Sequence, residues 1–570
     1  MTQNQEVAPE NKIWVNNYEE GVPQEVEIPE KTLPDLFHDT VARFPENKAI
    51  HFMGKDFTFR ELQELINQFS HALLKLDLPE GSKLAIHLPN TPQYVFAFYG
   101  AIQAGYTVVP CNPLYVEREM EHQLNDSGAD AILTMSRFYP MINNIKDKTK
   151  LKKVLVTNIK DYFPDFMRIM YTLAKEKKEG DRVKIAPEDI WLKDFISGQP
   201  KTVPQAKEVD MNSLACLLYT GGTTGVSKGA MLSHQNLVSN AIQVASWMPD
   251  IKEGEERTLS VIPFFHSFGL TVCQNLSLLK GCTLILVPRF DAKMVFDLID
   301  KTRPTLFPGV PTLYVALINS PEIHKHDLSS IKACISGAAP LPLEVQTQFE
   351  KLSGARLVEG YGLTESSPVT HCNPVFGKRK EGSIGIPLPN TVAKVADIEN
   401  PDNALPVGES GELAVKGPQV MQGYYNRPEE TEGTLINGWL HTGDIAQMDE
   451  EGFFFIVDRK KDMVIAGGYN IFPREIEEVL YTYDKIQEVV VAGVPDEYRG
   501  ETIKAYVVPK EGQELTEDEI VSFCKENLAP YKVPKKIEFR EELPKSMVGK
   551  ILRRVLVDEE KAKMKDNNNE

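Results

Sequence analysis

The sequence predicts an α/β protein, because short apolar runs alternate with amphipathic patterns along much of its 570 residues. The runs at 83–88 and 131–135 have the length and composition of buried strands, and the pattern at 93–103 is that of a helix. The same alternation returns later, with strand-like runs at 283–288 and 333–336. Strands that alternate with helices favour parallel sheets. Since the chain is too long for one ordinary core, we expect two α/β subdomains.

Further along the chain, the residue composition and the hydrophobic pattern change twice. Gly and Pro become frequent between 373 and 430, which predicts a β-rich subdomain. The charged stretch DRKKD at 458–462 then separates two apolar runs, and a compact α+β pattern follows, in which Pro473 begins a helix. We therefore expect a large N-terminal domain over residues 1–458 and a small mobile C-terminal domain over 459–570.

Composition and charge exclude several classes of protein. Hydrophobic residues make up 42% of the chain and charged residues 25%, which is a globular balance. The 63 Lys and Arg residues are outnumbered by 81 Asp and Glu residues, so the net charge is −18. A chain this acidic is not a general nucleic-acid binder, and we expect no nucleic-acid partner.

The cysteines and the apolar runs bear on location. The seven cysteines include no CxxC pair and most lie in apolar runs, so we expect buried thiols in a reducing cytosol. The N-terminus has no basic stretch followed by an apolar one, and no apolar run approaches 18 residues. We expect a cytoplasmic protein without a signal peptide or membrane span. Peripheral contact with the inner face of the cell membrane stays open, as does a homodimer.

One segment, at 159–180, is unlike its surroundings. Phe163, Phe166, Met167 and Met170 recur at helical spacing and are followed by three lysines. An amphipathic helix packed on the protein's own core explains this pattern. An interfacial helix that binds anionic lipid weakly explains it as well.

The clearest chemical signal is the glycine-rich stretch YTGGTTGVSKG at 219–229, which follows the apolar run LACLL. Its glycines allow a close backbone approach, its threonines offer hydroxyls and Lys228 offers a positive charge, so the loop is suited to a polyphosphate. A glycine-rich turn with incidental hydroxyls is the alternative. The spacing is not that of a Walker loop, which disfavours kinases and GTPases of that type.

Six further motifs follow this stretch in a fixed order. They are PFFHSFG at 263–269, EGYGLTE at 359–365, HTGD at 441–444, DRKKD at 458–462, GGYNI at 467–471 and PKSMVGKILRR at 544–554. This set resembles the adenylate-forming superfamily of acyl-CoA synthetases, luciferases and peptide-synthetase adenylation domains. The resemblance covers nearly the whole chain and is strongest to the bacterial long-chain fatty acid–CoA ligases.

The resemblance implies a two-step reaction. A fatty acid carboxylate attacks the α-phosphate of ATP and gives acyl-AMP and pyrophosphate, and the thiol of CoA then displaces AMP. The first step brings two anions together, so Mg²⁺ and cationic groups must offset their repulsion. The implied co-substrates are therefore ATP and CoA, with Mg²⁺. The long-chain substrate follows from the resemblance, because the apolar runs could equally be ordinary core.

The resemblance also assigns residues to the nucleotide. Tyr361 would lie against the adenine, while Asp444 would accept hydrogen bonds from the ribose with help from Arg459. Glu365 and Thr220 would bind Mg²⁺, and Thr364 would reach the α-phosphate. The remaining nucleotide-binding residues would be Gly221, Gly222, Thr223, Thr224, Gly225, Lys228, Gly337, Ala338, Glu359, Gly360 and Gly362. Tyr361 could instead be a core aromatic residue, Asp444 a turn cap and Glu365 a solvated loop acid.

Catalysis and domain movement complete what the resemblance implies. His266 would lie where the acyl group meets the phosphate, and Lys550 would bridge the carboxylate and the α-phosphate. Lys461 would be the hinge on which the small domain turns between the two steps. Gly467 and Gly468 would let the pantetheine arm of CoA pass. The plainer readings are a buried histidine, solvated cations and a tight turn.

Three departures from the family and three rival functions remain. Gly221 replaces a Ser or Thr found in many members and Ser227 replaces a Pro, and no gating tryptophan is evident near His266. One rival is an acyl-AMP ligase that loads a carrier protein. Another is a non-catalytic sensor of fatty acid or nucleotide, which we would expect to have lost Lys550, Glu365 or Asp444. A luciferase-like oxygenase is a narrower special case.

Overall fold

The computed structural model describes residues 12–205, 209–220, 227–459, 462, 464–466, 469–496, 500–546 and 551–567. Its helices and strands are numbered here in chain order. The helices are α1 Leu33–Arg43, α2 Phe59–Leu74, α3 Pro92–Gln103, α4 Glu117–Ser127, α5 Tyr139–Ile145, α6 Asp165–Ala174, α7 Leu192–Ile196, α8 His234–Ser246, α9 Leu276–Leu279, α10 Ala292–Thr302, α11 Pro311–Ile318, α12 Leu343–Ser353, α13 Pro428–Glu432, α14 Pro473–Tyr481, α15 Glu517–Asn527 and α16 Arg553–Asn567.

The first α/β layer is a seven-stranded sheet in the order β7-β6-β5-β3-β4-β8-β9. All its neighbours are parallel except the last pair, β8 and β9. Its strands are β3 Lys83–His87, β4 Thr107–Pro110, β5 Ala131–Met135, β6 Lys153–Thr157, β7 Ile190–Trp191, β8 Leu214–Thr220 and β9 Lys228–Ser233. Helix α3 is buried along its whole length, which explains why its sequence is apolar on every side.

The second α/β layer consists of two four-stranded sheets, in the orders β10-β11-β1-β2 and β12-β13-β14-β15. Isolated parallel bridges through Leu306 join β10 to β12. The strands are β1 Lys48–Phe52, β2 Lys55–Thr58, β10 Arg257–Ser260, β11 Thr283–Leu286, β12 Ala333–Ser336, β13 Arg356–Gly362, β14 Val369–Cys372 and β15 Ile386–Pro387. A π-helix at Gly269–Asn275 packs against β10 of this layer and against α8.

A β-rich part follows, as the Gly- and Pro-rich stretch predicts. Its five strands are antiparallel, in the order β16-β17-β19-β18 with β20 beside β19. They are β16 Val392–Ala396, β17 Ser410–Lys416, β18 Leu435–Ile436, β19 Trp439–Met448 and β20 Phe454–Arg459.

The last part has a sheet of its own, in the order β22-β21-β24-β23 with β25 beside β24. The strands are β21 Val464–Ala466, β22 Tyr469–Ile471, β23 Ile486–Asp496, β24 Gly500–Pro509 and β25 Lys536–Phe539. Two hydrophobic clusters of this part contain only residues from Val464 onward. The α/β architecture with a large N-terminal and a small C-terminal domain is thereby confirmed, while the boundary at 458 and the mobility of the small domain remain predictions.

Two further expectations have clear outcomes. All seven cysteines are buried free thiols. Among the described residues, no helix is both long and apolar enough to cross a membrane.

Candidate active site

The glycine-rich stretch connects two antiparallel strands. β8 and β9 pair so that Thr220 lies directly opposite Lys228, at the two ends of the connecting loop. Both residues are half-buried. The predicted loop residues Gly221, Gly222, Thr223, Thr224 and Gly225 lie outside the described residues.

A segment from the β-rich part pairs with the other edge of β9. The amide of Met231 donates to the carbonyl of Gly423 at 2.9 Å, and the amide of Tyr425 donates to the carbonyl of Gly229 at 2.8 Å. This pairing fixes the intervening Tyr424 at the base of the glycine-rich loop, where it bridges to Ala230. Residues almost 200 positions apart are thus held in register by backbone hydrogen bonds.

Tyr424 joins two of the predicted site residues. Its hydroxyl donates to Oε1 of Glu365 at 2.7 Å, and Nζ of Lys228 lies 5.1 Å from the centre of its ring. Burial, together with the neighbouring Glu365 carboxylate, raises the pKa of Tyr424 well above its usual range. The phenol therefore stays protonated and remains a donor at physiological pH. We call Lys228, Tyr424 and Glu365 the loop-base cluster.

The backbone also fixes the position of Glu365. Thr364, Glu365 and Ser366 form one 3-10 turn directly after β13. The carbonyl of Glu365 accepts from the amide of Met421 at 2.8 Å. Thr271 in the π-helix donates through Oγ1 to the carbonyl of Ser367 at 2.6 Å. Thr364 and Glu365 are thus held, half-buried, where β8 and β9 contact the turn.

A second group of predicted residues meets at the end of β13. The hydroxyl of Tyr361 donates to Oδ2 of Asp444 at 2.5 Å. The backbone of Asp444 on β19 is paired with that of Arg459 on β20. The side chain of Arg459 is not among those that the structure describes. His371 lies edge-on to Tyr361, with ring centres 6.0 Å apart, and burial lowers the pKa of His371 to about 3. The imidazole of His371 is therefore neutral, and it packs against Tyr361 without adding a charge.

Glu359, another predicted nucleotide residue, is buried and has a structural contact. Its Oε2 accepts from the amide of Leu341 at 3.1 Å, which holds the connection between β12 and α12. Burial raises the pKa of Glu359 to about 7, and the positive charge of Arg474 acts in the opposite direction. The connection begins with Gly337 and Ala338, and Ala338 has a left-handed φ of 65°. Such a conformation is uncommon for a residue with a side chain and marks local strain.

Glycine is required at one of the predicted positions for packing. A Cβ at Gly362 would lie 2.0 Å from the carbonyl oxygen of Pro368. Gly360, two residues earlier on β13, lies close to Ile335 on β12. The close approach of backbone around the turn therefore explains part of the EGYGLTE motif without any ligand.

His266 lies in the turn that precedes the π-helix. Asn90 secures this turn, because its Nδ2 donates to the carbonyl of Ile262 at 2.9 Å and its Oδ1 accepts from the amide of Phe264 at 2.8 Å. The amide of Phe268 donates to Nδ1 of His266 at 3.3 Å. An Nδ1 that accepts leaves the ring hydrogen on Nε2, so that nitrogen can donate to an anion. Phe268 also lies beside Gly337.

The carboxylate of Asp458, near the end of β20, contacts the C-terminal part, and Arg553 forms two ion pairs within that part. Asp458 accepts through Oδ2 from the amide of Arg474 at 3.0 Å, at the start of α14. Arg553 binds Asp462 at 2.7 Å and Glu477 at 2.6 Å. The predicted residues Lys461, Gly467, Gly468 and Lys550 lie outside the described residues.

The donor chemistry fits Mg²⁺ bound together with phosphates. Within the described ranges, no group of three or more His, Cys, Asp or Glu side chains could hold a metal ion alone. Mg²⁺ commonly takes one or two carboxylates and completes its shell with substrate phosphates and water. Glu365, oriented by Tyr424, suits that arrangement.

Sequence reasoning missed some contacts that shape this region. Tyr424 was visible only as part of the stretch GYYNRPEET. A second case is Asp126, which accepts from the Tyr219 hydroxyl at 2.8 Å and from Arg427 at 2.8 Å. The local signal was only that Tyr219 begins the glycine-rich motif and that Arg427 lies in GYYNRPEET.

The fold and the site together define an adenylate-forming enzyme, and comparison with known proteins identifies the family. The chain belongs to the AMP-binding enzyme family: residues 37–425 match the AMP-binding enzyme domain, and residues 475–550 match the AMP-binding enzyme C-terminal domain.

Named relatives match over nearly the full length. The chain is 48% identical over 550 residues to a long-chain-fatty-acid–CoA ligase of Bacillus subtilis, covering 96% of this chain and 98% of the relative. It is 42% identical over 559 residues to the ligase of the same name from Escherichia coli O157:H7, covering 97% and 99%. ATP-bound MatB from Rhodopseudomonas palustris has a similar fold, with a TM-score of 0.81, 28% identity and coverage of 93% and 99%.

Proposed function

We propose that this chain is a long-chain fatty acid–CoA ligase that works through an acyl-AMP intermediate. Support comes from the family, from relatives of that name at 40–48% identity, and from one geometric observation. Tyr361 lies in β13 and Glu365 lies in the turn that directly follows it. The loop-base cluster and the Tyr361–Asp444 pair are therefore neighbours at the carboxyl end of a parallel strand, where α/β proteins bind nucleotides.

Different residues bind the nucleoside and the phosphates of ATP. Asp444 holds the ribose hydroxyls and Tyr361 covers the base. A carboxylate has about four acceptor sites, so Asp444 can keep its bond to Tyr361 while it accepts from the sugar. Lys228 and the glycine-rich loop receive the β- and γ-phosphates. Glu365 and Thr220 would hold Mg²⁺, which supplies charge neutralisation on the phosphates when bound.

In the first step a carboxylate oxygen of the fatty acid bonds to the α-phosphorus, and the bond to the bridging oxygen of pyrophosphate breaks. His266 orients the carboxylate through Nε2–H, Thr364 contacts the α-phosphate, and Lys550 neutralises the developing charge. In the second step the CoA thiol loses its proton, its sulfur bonds to the acyl carbon, and AMP leaves with the former carboxylate oxygen. A turn at Lys461 would bring the Gly467–Gly468 side of the small domain to the site for this step.

We also propose that the enzyme acts in the cytoplasm and touches membranes peripherally. The seven buried thiols support a reducing compartment. The exposed apolar face of helix α6 supports the peripheral contact.

A chain-length series tests the proposed function. Pyrophosphate release is measured with ATP and saturated acids from acetate to palmitate, with and without CoA. We expect release that rises toward the long acids, with equal amounts of acyl-CoA and AMP when CoA is present. Pyrophosphate without acyl-CoA would favour a carrier-loading enzyme. Binding of the acid without turnover would favour a sensor.

A further inference from the structure

Helix α6 presents an apolar face to solvent. Phe166 and Leu173 are 75% and 78% exposed, and Ile169 and Met170 are exposed between them. These four side chains follow the i, i+3, i+4, i+7 spacing of one helix face. We call them the α6 outer face. Scattered exposed apolar residues are ordinary, but four large ones on a single face are not.

The inner face of α6 is fixed to the protein, so the outer face cannot turn inward. Tyr171 hydrogen-bonds to Asp181, whose side chain is fully buried. Asp181 also accepts from Arg137 at 2.5 Å and from Ser136 at 3.0 Å. Lys160 donates to Thr172 at 2.9 Å.

The aromatic stripe read from the sequence is therefore partly wrong. Phe163 is buried and packs against Phe52 and Tyr171, with ring centres 5.7 Å and 5.6 Å away. Met167 also packs on the core. The surface contains Ile169 and Leu173 in their place, so a substitution of Phe163 would disturb the fold rather than the surface.

The charge around this face is opposite to that of the molecule. Residues 160–184 contain seven Lys or Arg against five Asp or Glu, in a chain of net charge −18. Lys175, Lys177 and Lys178 follow directly after the helix and are exposed. A cavity of about 300 Å³ beside Ile169 and Leu173 is lined by Lys160, Arg168 and Lys193 together with Asp161.

We propose that the α6 outer face docks on a bilayer surface that contains anionic lipid. Apolar side chains would enter the acyl boundary while the neighbouring cations meet the lipid phosphates, as in other interfacial helices. The helix is ten residues long and would lie in the plane of the interface. Docking there would give the proposed ligase access to fatty acids dissolved in the membrane. This role rests on the proposed function, whereas the docking itself does not.

Flotation with vesicles tests the docking on the full chain. Binding to phosphatidylcholine vesicles with about 30 mol% phosphatidylglycerol is compared with binding to phosphatidylcholine alone. F166S/L173S should lower the partition coefficient about tenfold or more, because two large apolar groups lose their contact with lipid. The matched control is L114S/V116S, which changes two side chains that are 64% and 61% exposed elsewhere. It should bind like the unchanged protein.

Two further variants separate insertion from folding defects. F166W keeps an aromatic ring, and its fluorescence should shift to the blue and be quenched by brominated acyl chains. K175E/K177E/K178E should lose the preference for anionic vesicles at low salt. Thioester formation on dissolved decanoate should be unchanged in F166S/L173S, since α6 carries no predicted site residue.

The outcomes separate the alternatives. Equal flotation of F166S/L173S and the unchanged chain, or no quenching of F166W, would overturn the proposal. If the unchanged protein is a dimer, and F166S/L173S dissociates that dimer without affecting flotation, then the α6 outer face binds a second copy of the chain. That result would also overturn the proposal. Flotation that depends on α6 in a chain without ligase activity would support the docking and count against the proposed function alone.

Discussion

The hydroxyl of Tyr361 donates a 2.5 Å hydrogen bond to Oδ2 of Asp444. The two residues lie 83 positions apart, on strands of different sheets, and both belong to recognised motifs. A hydrogen bond to a carboxylate contributes more than one between neutral groups. This contact links the aromatic residue proposed for the base with the carboxylate proposed for the ribose.

Substitution of Asp444 tests the ribose assignment. D444A should raise the KM for ATP about tenfold or more, because a charged hydrogen-bond partner of the nucleotide is lost. The KM for CoA should stay nearly unchanged, since the ribose is bound before CoA enters. Steady-state kinetics on both substrates measures this, and unchanged ATP saturation would speak against the assignment.

The coupling between Tyr361 and Asp444 gives a second prediction. Y361F keeps the ring and removes the hydroxyl, and it should raise the KM for ATP less than D444A does. The double variant should be less impaired than the product of the two single effects, because residues in direct contact are not independent. Independent, multiplicative effects in the double-mutant cycle would mean that the bond has no role in nucleotide binding.

Tyr424 should orient Glu365 toward the metal. Y424F retains the ring beneath Lys228 and removes only the hydrogen bond to Glu365. The half-saturating Mg²⁺ concentration for acyl-AMP formation should rise about tenfold or more, as is typical when a group that orients a metal ligand is lost.

The adjacent tyrosine offers a matched control for that experiment. Tyr425 pairs with the same strand β9, but its ring lies under Lys83 with 4.9 Å to the ring centre. Y425F should leave the Mg²⁺ dependence unchanged. If both variants respond alike, the effect comes from the backbone pairing rather than from the Glu365 contact.

Glu359 predicts a dependence of stability on pH. Its pKa is about 7 in the folded state against an ordinary 4.5, so the folded protein holds the proton more tightly than the unfolded chain. The contribution of Glu359 to the free energy of unfolding is fully present below pH 4.5. It is lost as the pH rises toward and through 7, and the total loss is about 3 kcal/mol.

A neutral variant isolates this contribution. E359Q removes the titration, so its melting temperature relative to the unchanged protein should increase as pH is raised from 5 to about 8. E381Q, at an exposed position, is the control and should show a constant difference. A constant difference for E359Q as well would show that Glu359 is charged throughout.

The two half-reactions should depend on different residues of the C-terminal part. K550A should slow acyl-AMP formation by roughly 10²–10³-fold, the usual cost of removing a preorganised donor, while supplied acyl-AMP and CoA still react at nearly the normal rate. K461P should do the reverse, because proline fixes φ near −65° and would hinder the proposed hinge. Single-turnover measurements decide this, and equal slowing of both steps by both variants would rule out domain alternation.

Much of the architecture follows from local pattern, whereas the site contacts do not. The run at 131–135 was recognisable as a strand because buried parallel strands are apolar throughout. The contact of Tyr424 with Glu365 depends on the pairing of residues 422–425 along β9, which no local signal indicates. Phe163 shows a different failure: Pro164 disfavours helix at the residue before it. Phe163 is accordingly extended, with ψ at 157°, and helical spacing from that residue has no meaning.

The most direct measurement follows the oxygen atoms of the fatty acid. Palmitate labelled with ¹⁸O in both carboxyl oxygens is incubated with the protein, ATP, Mg²⁺ and CoA, and the products are weighed by mass spectrometry. Attack of the carboxylate on the α-phosphate predicts one ¹⁸O in AMP, one in palmitoyl-CoA and none in pyrophosphate. Label in inorganic phosphate, or palmitoyl-CoA formed with unlabelled AMP, would contradict the acyl-adenylate route.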